Sequence, residues 1–156
     1  KSTGMYETLP KGQGWGFSMH RSFASYVAVA TRVEIIEDAV KILDMHAAID
    51  CGLVVNPDRV KAQIEGAMVF GLTIALMGGV SVKKGRIEQS NFDDAPITGM
   101  HHCPPMKVHI VSGQDELPGG VGEPGVPPVA ASVTNAIFAA SGQRIRDLPV
   151  NQFFEV

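Results

Sequence analysis

The chain has 156 residues, of which 45% are hydrophobic, and a net charge of -3. A chain of this size and composition can bury one sizeable core, so we expect a single domain over residues 1–156. The basic residues form no run or stripe, which argues against nucleic acid or an anionic membrane surface as a partner. Cys51 and Cys103 lie far apart in the sequence and indicate neither a disulfide framework nor a zinc site.

An uncharged segment, residues 66–82, raises the question of a membrane span. At about 17 residues it is shorter than the roughly 20 that a bilayer requires, and glycines interrupt it. We interpret it as a buried helix that leads into a strand. The chain opens at Lys1 rather than at a methionine, which suggests a processed product or a piece of a larger protein. A bacterial cytoplasm and a periplasm are both compatible with it.

Two strands are predicted in the first third of the chain. From Ser25 to Ile36, apolar side chains alternate with a period of two, which is typical of a half-buried strand. A second strand is predicted from Ala39 to Ile49. The acidic pair Glu37 and Asp38 between them is expected to form the turn that pairs the two strands.

A helix is predicted to begin after Asn56. Asn56 is a favourable N-cap, and Pro57 suits the first helical position. Apolar residues recur from Val60 onwards at helical spacing, so one face is expected to lie in the core. Lys61 is expected to face water.

The second half of the chain adds a hairpin, a strand and a second helix. The hairpin is predicted over Gly79–Gln89, with its turn near Gly85, and the strand over Lys107–Val111. The second helix is predicted from about Pro128 to Ser141, with Gly142 as its stop signal. Because strands and helices are interleaved, we expect an α+β fold, a two-layer α/β sandwich with a mixed sheet.

Glycine and proline cluster at residues 11–16 and 118–128, and both clusters predict loops with a functional role. In the second, Glu123 follows the segment "GGVG" and precedes Pro124. Glycines at Gly120 and Gly122, on either side of Val121, allow a close approach of the backbone to a ligand and leave N–H groups free to face an anion. The helix that follows directs its positive end toward the loop. A solvated turn acid is the alternative interpretation of Glu123.

Other candidate residues are weaker. Gln63 on the first helix is either a ligand contact or a solvated side chain, and the small residues Gly66, Ala67 and Gly71 would permit close approach of a strand or a cofactor. Asp50 at a strand end could position an acid.

Histidines and cysteines add little. His101, His102 and Cys103 are adjacent in the chain and cannot usually all reach one ion, so no metal site is predicted. Cys51 is more often a packing residue than a reactive thiol. We interpret His20, His46 and His109 as isolated structural residues.

Three segments, taken together, resemble a known family: "AIDCGLVVNPDRVKAQIEGAMVFGLTIAL", "RIEQSNFDDAPI" and "GGVGEPGVPPVAASVTNAIFAASGQRIRDLPV". In this order they resemble the C-terminal part of the large subunit of molybdenum hydroxylases, the xanthine dehydrogenase/aldehyde oxidase family. With "GWGFSMHRSFASYVAVATRVEI" upstream, the chain looks most like the isoquinoline 1-oxidoreductase beta-subunit branch. The resemblance covers the chain from about Gly12 to Val150.

The resemblance implies a function and a site. The family binds a molybdopterin cofactor, commonly the cytosine dinucleotide form in bacteria, between two subdomains of the large subunit. The family's loop glutamate acts as a base on a molybdenum-bound hydroxide, and Glu123 occupies its position. The resemblance implies that the preceding loop residues Gly120, Val121 and Gly122 lie against the cofactor. The oxygen attacks an electron-poor carbon of an N-heterocycle or aldehyde while hydride passes to a sulfido ligand. The family glutamine near the pterin corresponds to Gln63.

The resemblance also implies partners. These are the rest of the large subunit, a small subunit that carries 2Fe-2S clusters, and a small-molecule substrate. Asp94-Ala95 and the segment "GMHHCPP" depart from the family pattern, so substrate contacts there stay open. The family's other cofactor-binding motifs lie upstream, so we expect the isolated chain to lack the cofactor, to bind no stoichiometric metal, and to self-associate through exposed apolar surface.

Two alternatives to an enzyme fragment of this kind stay open. One is a non-catalytic binding or assembly module that keeps the fold. The other is a hydrolase in which Asp50 and Glu123 form a carboxylate pair, which requires the two groups to lie within about 10 Å of each other.

Overall fold

A computed structural model of the protein describes residues 7–111 and 117–156. The elements in chain order are β1 (Gln13–Ser22), β2 (Ser25–Ile36), β3 (Ala39–Asp50), α1 (Pro57–Leu76), β4 (Val82–Lys83), β5 (Arg86–Ile87), β6 (Met106–Ile110) and α2 (Pro127–Ser141). Single 3-10 turns lie at Met100–His102 and Val150–Gln152. The predicted strands and helices are confirmed, with bounds that shift by at most one or two residues outside the short hairpin.

The main sheet has four strands in the order β1-β2-β3-β6. The first three run antiparallel, whereas β6 lies parallel to β3, so the sheet is mixed as predicted. Glu37 has a φ of 56° and forms the expected turn between β2 and β3. The register between these strands shifts between Arg32 and Val33, which marks a bulge.

Both helices contribute to one core. The helix α2 contacts β1 and β2, while α1 contacts α2 and β6. The buried apolar residues of the helices come from their predicted stripes: Val60, Ile64, Met68, Leu72, Val129, Val133, Ala136 and Ile137. They meet the side chains of one sheet face, among them Val27, Val29, Met45 and Ile49. The chain is therefore a mixed α/β structure whose helices and sheet share a single core.

The start and the exposed face of α1 follow the sequence signals. The side chain of Asn56 accepts a hydrogen bond of 3.1 Å from the Arg59 amide, which satisfies one of the unpaired donors of the first turn. Lys61 is exposed, as expected. The interpretation of residues 66–82 as a buried helix holds for one face only, because Phe70 and Ile74 are exposed on this helix. Within the described residues, neither helix combines the length and hydropathy of a bilayer span.

The interpretation of residues 11–16 as a loop is wrong from Gln13 onwards. This stretch begins β1, and its glycines bring the strand against α2. A Cβ atom on Gly14 would lie 2.5 Å from the carbonyl oxygen of Ala136, and one on Gly16 would overlap the backbone at Ser132. The glycines are thus required by strand-to-helix packing, a requirement that composition does not distinguish from that of a loop.

Candidate functional site

The segment that contains Glu123 lies against the end of the sheet. It is anchored at two consecutive residues: the Gly119 amide donates to the Cys51 carbonyl at 2.8 Å, and the Gly120 amide donates to the Phe23 carbonyl at 2.7 Å. The expectation that the Gly120 N–H is free to face an anion is therefore wrong, since it holds the loop to the sheet.

The β1–β2 turn, whose Phe23 carbonyl accepts the hydrogen bond from Gly120, has an unusual backbone. Phe23 and Ala24 join β1 to β2, and both have positive φ, 52° and 59°. Two residues with positive φ form the turn whose twist matches a hairpin, a place where asparagine and glycine are usual. A bulky residue in this conformation is a local outlier, and such outliers concentrate at functional sites.

The other side of the loop lies against α1. A Cβ on Gly125 would lie 2.7 Å from the Cβ of Ala67 and 3.2 Å from Cδ1 of Ile64. This contact places the loop beside the helical turn on which Gln63 also lies. The structure therefore brings the two ends of the predicted site, Gln63 and the Glu123 loop, to one region.

Glu123 and Gln63 are both exposed, as is Gly122, whereas Val121 is half-buried. The loop thus has two parts. Gly119, Gly120 and Gly125 are fixed by contacts within the chain, and between them Gly122 and Glu123 are exposed.

For two glycines of this region, the part of the chain that the structure describes gives no packing reason. A Cβ on Gly66 or on Gly122 would meet no atom within 4 Å, and neither residue has a left-handed backbone. Gly66 lies inside α1, where glycine is less favourable than alanine by about 1 kcal/mol. A glycine that neither the backbone nor the packing requires leaves room for a large group outside the chain to approach the surface closely.

A polar cluster on the opposite face of the sheet was missed by sequence reasoning. His46 and His109 are not isolated: their rings stack in parallel with centroids 5.7 Å apart, and His46 Nδ1 lies 3.4 Å from His109 Nε2. His46 Nε2 lies 3.5 Å from a carboxylate oxygen of Asp44, which also pairs with Arg32. Only the register of β3 beside β6 brings these residues together, so spacing along the chain gave no signal.

Burial lowers the pKa of His46 below its ordinary value, and the neighbouring Asp44 carboxylate only partly opposes this effect. The edge of the Trp15 ring lies against the His46 ring, with centroids 6.0 Å apart. The cluster is thus a structural, partly neutral histidine site on the sheet, and its residues differ from those around Glu123.

The segment "HHC" lies at the edge of a cavity of about 550 Å³ beside the first residues of β3. The ring centroids of His101 and His102 lie 3.8 Å apart. Burial lowers the pKa of His102. Over residues 7–111 and 117–156, no group of three or more metal-ligating side chains converges.

Asp50 and Cys51 serve local structure at the end of β3. The carboxylate of Asp50 accepts a 3.2 Å hydrogen bond from the Gly52 amide, and Cys51 is buried. The carbonyl of Cys51 receives the Gly119 amide. The end of β3 therefore anchors the Glu123 loop through this hydrogen bond.

Comparison with known proteins defines the class. The family model of the molybdopterin cofactor-binding domain matches residues 1–104. The chain is 34% identical over 143 residues to isoquinoline 1-oxidoreductase subunit beta from Brevundimonas diminuta, an alignment that covers 88% of this chain and 18% of that protein. It is 31% identical to the molybdenum-binding subunit of an aldehyde oxidoreductase from Escherichia coli (strain K12), over 71% of this chain and 16% of that protein.

A solved structure shares the fold. Quinoline 2-oxidoreductase from Pseudomonas putida 86 superposes with a TM-score of 0.74 at 24% identity, over 81% of this chain and 17% of that one. The chain thus spans less than a fifth of the length of these relatives. It belongs to the molybdopterin cofactor-binding domain family, as a fragment of the molybdenum hydroxylase type. The resemblance stated from the sequence is confirmed.

Proposed function

We propose that this chain forms one wall of a molybdenum hydroxylase active site, with Glu123 as the catalytic base. The substrate class proposed is an N-heterocycle or an aldehyde, which undergoes oxidative hydroxylation. The observation that carries the proposal is the surface formed by Gly66 and Gly122, two exposed glycines whose side-chain space is empty, beside the exposed Gln63 and Glu123.

The residues present fit a large cofactor. Gln63 offers an amide that can both donate and accept hydrogen bonds to a pterin edge. Gly66 and Gly122 let the group approach the backbone of α1 and of the loop, and Val121 adds a half-buried apolar contact. Gly120, which is fixed to the Phe23 carbonyl, keeps the loop in place. When bound, the molybdenum centre supplies the two-electron oxidation of the substrate.

The role proposed for Glu123 is to receive a proton at its carboxylate as the substrate is hydroxylated. A base must be ionised when the substrate arrives and lie within hydrogen-bond reach of the proton that it accepts. The exposed position of Glu123 leaves its carboxylate accessible to groups outside the chain. The anchored glycines limit how far it can move, which favours a defined geometry.

The proposal includes the wider assembly. We propose molybdopterin cytosine dinucleotide as the cofactor, bound only when the rest of the large subunit is present, and a small subunit with 2Fe-2S clusters as electron acceptor. We also propose that residues 1–156 are a single C-terminal domain of that large subunit with a two-layer sandwich arrangement. The contacts of α2 with the sheet and of α1 with α2 support this arrangement.

The test is Glu123→Gln in the intact molybdenum enzyme that contains this chain. The amide keeps the size of the side chain and removes the basic site, so turnover should fall by about 10²–10⁴-fold while molybdenum content stays unchanged. The matched control is Glu37→Gln, which alters an exposed glutamate in the β2–β3 turn, at the other end of the sheet. A Glu123→Gln enzyme with full cofactor and near-normal turnover would instead support a non-catalytic module.

A further inference from the structure

We propose that Ser25 is a positioning residue that fixes the Glu123 loop to the sheet. The inference rests on the proposed function of Glu123. It assigns a role to a hydroxyl on β2 that lies 95 residues before Gly120 in the chain. Ser25 does not reach the reacting atoms; it acts through the loop.

The contact is direct, and its donor is buried. The hydroxyl of Ser25 donates a 2.7 Å hydrogen bond to the carbonyl of Gly120, and the Ser25 residue is 0% exposed. Because Ser25 is buried in the sheet, its hydroxyl is held at this carbonyl, so the bond ties the loop to β2 although Gly120 itself is exposed. Ser25→Ala therefore removes the side-chain bond that ties the loop to β2.

The hydrogen bond from Ser25 is one of three that hold Gly119 and Gly120. The Gly119 amide is bound to the carbonyl of Cys51, and the Gly120 amide to that of Phe23. The Ser25 bond differs from the other two because a side chain makes it, so it can be removed without altering the backbone. Space around the glycines is also closed: a Cβ on Gly119 would overlap the Ser25 hydroxyl, and one on Gly120 would lie 2.8 Å from the Cβ of Phe23.

The anchored glycines are close to Glu123 in the chain. Only Val121 and Gly122 separate Gly120 from Glu123, and a Cβ on Gly122 would meet nothing within 4 Å. The position of the carboxylate therefore depends on the anchor at Gly120 and, beyond Glu123, on the packing of Gly125 against α1. A shift of about 1 Å in a catalytic group can cost about 10²-fold in rate.

A second buried hydroxyl contact of β2, made with α2, provides a matched control. Thr31 and Ser132 form a hydroxyl pair at 2.8 Å that links β2 to α2, and both residues are 0% exposed. Ser132→Ala removes a buried hydroxyl of the same kind at a contact that does not hold the loop. A merely structural role for Ser25 would make the two alanine variants equivalent.

The experiment compares Ser25→Ala, Ser25→Cys and Ser132→Ala in the intact molybdenum enzyme. For Ser25→Ala we expect kcat to fall by about 10- to 100-fold with KM and molybdenum content near wild type, because the base is displaced while the substrate site remains. The thiol of Ser25→Cys is a weaker donor and should give an intermediate kcat. Ser132→Ala should leave kcat unchanged.

A second readout does not depend on turnover. Amide hydrogen exchange at Gly120 should be faster in Ser25→Ala by about threefold to tenfold, the net value of one hydrogen bond, and unchanged in Ser132→Ala. An unchanged kcat and Gly120 exchange in Ser25→Ala, or equal losses of kcat in the two alanine variants, would overturn the inference. If Glu123→Gln abolishes turnover while Ser25→Ala is fully active, the proposed function stands and the role of Ser25 fails.

Discussion

Two glycine-rich regions of this chain use the same residue type for different purposes. In β1, the positions of Gly14 and Gly16 are filled by the backbone of α2, which would overlap any side chain. Around the Glu123 loop, Gly66 and Gly122 face empty space although their backbones do not require glycine. The first pair is explained by packing within the chain, whereas the described residues give no packing reason for the second pair.

The comparison distinguishes glycines that the fold requires from glycines that we relate to function. Glycine in a strand interior weakens the strand unless another backbone approaches closely, and in β1 that backbone is α2. An exposed glycine in a helix also lowers stability, but no part of the described chain benefits at Gly66. The unexplained glycines therefore mark the surface at which the cofactor is proposed to lie.

The largest effect on stability is expected at Gly16, where α2 fills the space that a side chain would need. In Gly16→Val the side chain would overlap the backbone of Ser132 and Ala136, and backbone cannot move aside as a side chain can. We expect the free energy of unfolding of the chain to fall by about 3 kcal/mol or more, measured by urea denaturation. Met19→Val, at an exposed position on the same strand, should change it little. Wild-type stability in Gly16→Val would show that β1 does not approach α2 so closely.

Sequence reasoning found most of the fold because its signals were local. Asn56 before Pro57, the alternation in β2 and Gly142 after α2 each act within a few residues, and each is confirmed in the structure. The strand β1 was not predicted at all, and the glycines at its start are typical of a loop. Only the distant α2 makes them suitable for a strand.

A smaller effect on the free energy of unfolding is expected when the pH changes, and it arises at His46. This residue contacts Trp15 on the face of β1 that points away from α2. Burial lowers the pKa of His46 in the folded chain, so the unfolded chain binds more protons below about pH 6.5. The free energy of unfolding should therefore decrease as the pH falls through and below that value. The groups that act on the charge of His46 are Asp44, which favours it, and Lys107, His109 and Arg32, which oppose it.

The variant His46→Gln should show a shallower loss of stability than wild type between about pH 7.5 and pH 5.5. Urea denaturation at a series of pH values measures the slope, and His102, whose pKa is also lowered by burial, contributes the same background to both proteins. Equal slopes for the two proteins would mean that His46 is not protected from protonation in the folded state.

The candidate site was only partly accessible from the sequence. Glu123 and Gln63 could be singled out from their loop and helix, and the family resemblance gave them roles. The structure brings their segments together through the contact of Gly125 with Ala67. The anchoring role of Ser25 could not be predicted, because a serine in a strand gives no signal until its partner 95 residues away is known. The pairing of His46 with His109 depends on strand register in the same way.

The most direct test of the account uses two glycines with equally empty surroundings. A Cβ on Gly66 or on Gly85 would meet nothing within 4 Å, but Gly85 has a φ of +77°. Gly66→Ala should raise the free energy of unfolding of the chain by about 0.5–1 kcal/mol, because alanine is the better helix former. In the intact enzyme it should lower the molybdenum content, because the added methyl group occupies space that the cofactor is proposed to need.

Gly85→Ala is expected to differ from Gly66→Ala in its effects on both stability and molybdenum content. It should destabilise the chain by about 1 kcal/mol through its left-handed backbone and leave the molybdenum content of the intact enzyme unchanged. The account predicts that the more stable variant, Gly66→Ala, is the one that loses metal. A Gly66→Ala enzyme that is more stable and binds molybdenum as wild type does would contradict the claim that this surface contacts the cofactor.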